Sequence, residues 1–131
     1  VSDYRTQITG LLPTADGRIP QWNVPDPLTD GGFVPFDGRT LRGPERHEVL
    51  LQAFAADRVP ELRQWPDTEE AVETGRRVLG LAAAQLRVKP PESIVEWHFE
   101  DAPTGDAVNR LFVDAGLTGI DVRYTPAVVG E

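Results

Sequence analysis

Between Ser93 and Pro126 the apolar residues change period twice, which restricts the possible architectures more than any other feature of the chain. In SIVEWHFE, Val95, Trp97 and Phe99 alternate with Glu96 and His98, the period of a strand. In APTGDAVNRLFVDAG, Val108, Leu111, Phe112 and Ala115 recur at helical spacing, and Gly116 is placed to cap the helix end. TGIDVRYTP then alternates Ile120, Val122 and Tyr124 against Asp121 and Arg123 until Pro126 stops it. Upstream, PDTEEAVETGRRVLGLAAAQLR sets Val72, Leu79, Ala83 and Leu86 on one helical face, with Asp67 and Glu70 at capping-box spacing. Helix, strand, helix and strand in succession predict an α/β (α+β) fold, a small mixed sheet flanked by helices. A right-handed crossover is expected where the last two strands pair in parallel.

The first third has another character. Gly10 to Gly38 is rich in Pro and Gly, and PQWNVPDPL reads as a surface loop anchored by Trp22. GGFVPF suits a short strand with Pro35 at an edge or bulge. PERHEVLLQAFAADRV predicts a helix, with Pro44 in its first turn, Val49, Leu50, Phe54 and Val59 as its apolar stripe, and Pro60 as its end. At 131 residues the chain is expected to form one domain, 1–131, with an N-terminal segment and loop over 1–32 and an α/β core over 33–131.

Composition excludes several functions. The absence of cysteine removes disulfides, thiolate metal sites and cysteine nucleophiles. A net charge of -8 opposes long-range attraction to nucleic acid and anionic membranes, and suits either solubility or a cationic partner. No apolar run is long enough to cross a bilayer, so no membrane insertion is expected. Walker, GxGxxG, GxSxG and HExxH motifs are missing, which leaves nucleotide-binding, serine-hydrolase and zincin readings unsupported. The chain opens at Val1 without Met or a secretory signal; the expectation is a piece of a longer polypeptide whose delivery signal lies elsewhere.

Three places could carry chemistry. Asp37, in FDG after an apolar strand, lies at a strand end or turn where a carboxylate can hold Mg²⁺, although Asp-Gly is equally an ordinary turn. In LRGPERHE, Arg42 supplies a fixed positive charge, Glu45 a carboxylate, and His47 a possible acid, base or solvated helical side chain. Glu96 and His98 share a strand face and could bind metal or move protons if that face lines a cleft. Arg76, Arg77, Arg87 and Lys89 are candidate phosphate contacts or simply a polar helix face.

SDYRTQITG, GGFVPFDG and above all IVEWHFED…AVNRLFVDAGLTGIDVRYTP together resemble the restriction-endonuclease-fold toxin domains of bacterial polymorphic toxins, in particular restriction endonuclease fold toxin 5. The likeness spans nearly the whole chain. It implies a restriction-endonuclease-like fold and a secreted C-terminal effector that acts in the cytoplasm of a rival cell. It also implies DNA hydrolysis with Mg²⁺ or Mn²⁺, and a cognate immunity protein as partner. Asp37 corresponds to the metal-binding Asp of the family's FDG. The family continues with Leu-Leu-(Glu/Asp)-Ala-Lys-Gly, where alignment on Gly43-Pro44 puts Thr40 at the carboxylate and Arg42 at the Lys. The expected centre is therefore Asp37 as metal ligand, Glu45 and Glu96 as further ligands, and Arg42 and His98 in catalytic support. The alternative is a catalytically inactive domain that binds an immunity protein or delivery partner.

Overall fold

The computed structural model describes residues 3–128. Helix α1 (Asp3–Thr9) leads through a long loop to β1 (Trp22–Pro25), which pairs antiparallel with β2 (Phe33–Phe36) as a two-stranded sheet. β3 (Gly38–Arg42) and β4 (His47–Phe54) form an antiparallel hairpin. A 3₁₀ turn (Pro60–Gln64) and α2 (Glu69–Val88) lead to β5 (Ile94–Phe99), and α3 (Ala102–Ala115) leads to β6 (Ile120–Tyr124). β4, β5 and β6 run parallel, and the second sheet has the order β3-β4-β5-β6. The mixed sheet and its helices are the α/β architecture expected from the periodicity.

Helix boundaries follow local chemistry. The Thr68 side chain caps α2 by accepting from Ala71 N at 3.1 Å, one residue beyond the Asp67 expected from spacing. Asp101 caps α3 by accepting from Thr104 N at 3.0 Å. Gly116 ends α3 at φ 69, left-handed backbone that costs glycine little.

The hairpin corrects the sequence reading most strongly. HEVLLQAF is a strand, and the bend at Gly43–Arg46 replaces the predicted helix start. From Val49 to Phe54 every residue is buried, because β4 is an interior strand covered on both faces, so its sequence does not alternate. Pro60 opens the 3₁₀ turn instead of ending a helix. The Pro/Gly-rich region also contains a strand: Trp22 lies on β1, 46% exposed, and is not the anchor of a loop. Burial of Ile19 and the Arg87–Asp26 ion pair, at 2.5 Å, fasten this region instead.

One sheet face and the helices share the core. Leu50 and Phe54 of β4 and Val95, Trp97 and Phe99 of β5 pack with Val78 and Ala82 of α2 and Val108, Leu111 and Phe112 of α3. Phe54 and Phe99 stack at 4.7 Å, and Phe112 meets Trp97 edge-on at 5.4 Å. α1 packs on β3 and β4. Gly38 permits this close approach: a Cβ there would come within 2.8 Å of Thr9 Cβ.

Candidate functional site

Asp37 links β2 to β3 and carries a carboxylate that is buried, 1% exposed, not open as its turn position suggested. Oδ2 accepts from Ala53 N at 2.8 Å and from Arg58 Nη1 at 3.1 Å. Arg5 Nε stands 3.2 Å from Oδ1, close enough for an ion pair but misaligned for a hydrogen bond. Asp37 and Gly38 therefore serve the same event, the docking of α1. Arg58 also donates to Ala53 O at 2.6 Å and lies over the Phe54 ring at 4.7 Å. A cleft of about 360 Å³ opens here, bounded by Tyr4, Arg5, Asp37, Asp57 and Arg58. It adjoins the carboxyl end of β4, a common ligand position in parallel sheets. The Tyr4 hydroxyl donates to Thr125 O at 2.6 Å; burial first, then the nearby Glu100 and Asp101 carboxylates, raises its pKa far above the usual phenol range.

Glu96 forms a second centre. Strand alternation places Glu96 and His98 on the same face, as predicted, opposite the aromatic core residues. The Glu96 carboxylate, 1% exposed, receives both guanidinium arms of Arg42 from β3 and lies 3.2 Å from Arg123 Nη2 of β6. His98 Nε2 is 3.0 Å from Glu96 Oε1, and its Nδ1 is 2.7 Å from Thr125 Oγ1. Burial alone would raise the Glu96 pKa, but hydrogen bonds from Arg42 and His98, with the charges of Arg42 and Arg123, hold it below the usual range.

The expected ligand set does not assemble. Glu45 lies in the exposed hairpin bend and contacts His47 at 3.1 Å. The strand register separates that bend from Asp37 by on the order of 15 Å. His47 is on β4, not on a solvated helix. Asp37 and Glu96 have separate partners, so Asp37, Glu45 and Glu96 do not fit the Mg²⁺ centre implied by the resemblance. Among the described residues, no group of three or more His, Asp or Glu side chains is arranged to hold a metal ion. Arg42 joins the Glu96 centre instead of supporting Asp37, and His98 is brought to Glu96 as its strand position required.

Arg5, Arg58 and Gln52 escaped the sequence reading. Residues Leu50-Leu51-Gln52-Ala53-Phe54 end β4 beside Asp37. The candidate phosphate contacts are dispersed: Arg87 pairs with Asp26, Arg76 with Glu73, and Lys89 Nζ donates to Ser93 O at 3.1 Å. Comparison with known protein families, curated proteins and solved structures finds no match.

Proposed function

We propose that the chain is a nuclease-fold domain of the polymorphic-toxin kind that has lost phosphodiester hydrolysis and acts by binding another protein. One observation carries the proposal: guanidinium groups occupy the oxygen faces of both buried carboxylates, Arg5 and Arg58 at Asp37, and Arg42 and Arg123 at Glu96. A hydrolytic metal needs such oxygens to neutralise charge and activate water. The resemblance supports the same conclusion, with Thr40 in the place of the family's second carboxylate and Arg42 in the place of its Lys. Neither replacement supplies the original chemistry. A hydroxyl does not bring negative charge to a metal, and a guanidinium that stays charged does not accept a proton from water.

The net charge of -8 favours a partner with a basic face, such as an immunity protein or a component that delivers the domain to another cell. No helix among the described residues is long and apolar enough to cross a membrane. DNA cleavage with Mg²⁺ or Mn²⁺ would require the arginines to release Asp37.

Plasmid cleavage by the purified domain tests the loss of hydrolysis. With Mg²⁺ or Mn²⁺ the native chain is expected to cleave no faster than Asp37→Ala. Metal-dependent nicking that disappears in the variant and with EDTA would contradict the proposal.

A further inference from the structure

We infer that β6 is the contact edge of a two-fold dimer, in which the β6 strands of two copies pair antiparallel about Val122 and join their sheets into one. β6 ends the order β3-β4-β5-β6, so no described strand covers its outer side. Thr125 N donates to Phe99 O at 2.9 Å. Alternation along the strand therefore turns the backbone polar groups of Asp121 and Arg123 toward β5 and those of Ile120, Val122 and Tyr124 outward. Outward groups meet outward groups only in alternate registers, and the one with the greatest overlap places Val122 on the two-fold axis. Ile120 of each copy then lies opposite Tyr124 of the other, and each facing pair exchanges its N–H and C=O groups.

The side chains match in that same register. The strand reads Ile-Asp-Val-Arg-Tyr, so Asp121 of either copy lies opposite Arg123 of the other, and no like charges are directly opposed. Both side chains are accessible, 44% and 48% exposed. On the other face, where Ile120 and Val122 border the core, the Val122 side chains of the two copies meet, and Tyr124, 60% exposed, gains Ile120 of the second copy. The opposite edge of the sheet lacks this match: β3 reads Gly-Arg-Thr-Leu-Arg, and two such strands would gather cations with no carboxylate between them. Beyond β6, Tyr4 and Gln7 hold Thr125 and Pro126 against α1, which packs on β3 and β4, so the chain leaves the edge. A five-residue edge buries less than the roughly 1,200 Å² of a standard interface, and a net charge of -8 on each copy opposes approach; the expected Kd is on the order of 100 µM.

The inference concerns self-association through β6 and rests neither on the loss of hydrolysis nor on a partner of another kind. Sedimentation equilibrium in about 150 mM salt, which screens charges more than about 8 Å apart, tests it. The native chain is expected to move from 14.4 kDa toward twice that mass as its concentration rises to about 500 µM. Asp121→Arg leaves Arg123 its contact with Glu96 but sets cations opposite cations, and should weaken the dimer about tenfold or more while its far-ultraviolet circular dichroism stays native. Cross-linking reads the register in a chain without cysteine of its own. Val122→Cys should form a disulfide between copies on mild oxidation, since the facing Cα atoms are about 5.5 Å apart, whereas Tyr124→Cys, about 14 Å from its mate, should not. A native chain that stays monomeric to about 500 µM would overturn the inference and leave the edge to a strand of another protein. So would a dimer untouched by Asp121→Arg, or one that cross-links no better through Val122→Cys than through Tyr124→Cys.

Discussion

Asp37 and Glu96 are equally buried carboxylates, each paired with two arginines, but they are held by different parts of the fold. The partners of Glu96 lie on the sheet: Arg42 comes from β3, Arg123 from β6 and His98 from its own strand. This centre ties adjacent strands together across the face opposite the aromatic core. The charged partners of Asp37 come from outside the sheet, Arg5 from α1 and Arg58 from the segment after β4. It therefore fastens a helix and a loop to the end of the hairpin. The arginines of Glu96 are nearly half exposed, at 47% and 48%, whereas those of Asp37 are less so, at 23% and 39%. Removing a carboxylate leaves its partners more readily hydrated in the first case than in the second.

The largest loss is therefore expected for Asp37→Ala, about 3 kcal/mol, because it strands two cations and the Ala53 N–H together. Glu96→Ala should cost less, about 2 kcal/mol, since solvent reaches Arg42 and Arg123. Urea unfolding of both variants checks the order; a greater loss at Glu96 would reverse the comparison. Amide exchange sharpens it, with α1 deprotected in Asp37→Ala and β3 and β6 in Glu96→Ala.

A smaller effect should follow acidification. Glu96, Asp26 and Asp101 all have lowered folded pKa values, that of Asp26 lowered to about 2 by the Thr29 hydroxyl and by Arg87. For Asp101, burial opposes the lowering, and hydrogen bonds from Arg63 and Thr104 outweigh it. A depressed folded pKa contributes stability that is full above the unfolded carboxylate value, about 4, and declines as pH falls toward the folded value. Urea midpoints should hold steady from neutral pH to about pH 5 and fall below it. Glu96→Gln should have the shallower acid limb, and an unchanged limb would remove Glu96 from the explanation.

Much of the second half was legible because α2 and α3 each have one dominant covered side and because β5, although buried on both faces, alternates polar with apolar side chains. The alternation around Trp97 gave β5, helical spacing gave α2 and α3, and Gly116 marked an actual helix end. β4 was misread because burial on both faces produces a continuous apolar run, which strands share with buried helices. That error propagated to the site. Glu45 looked close to Asp37 only while 44–59 was taken as a helix following it, whereas the hairpin carries the bend away and returns Gln52 and Ala53 to Asp37. The Glu96–His98 pairing depended on local alternation and was therefore readable. Arg58 and Arg5 reach Asp37 through tertiary contacts, for which the sequence had no local signal.

The most direct test of guanidinium occupancy at Asp37 is a Mn²⁺ titration of the native chain followed by electron paramagnetic resonance, with Asp37→Ala measured in parallel. Occupancy of the Asp37 oxygens by arginine predicts equal, weak and nonsaturating binding by both proteins. A stoichiometric Mn²⁺ site in the native chain that disappears in Asp37→Ala would contradict it.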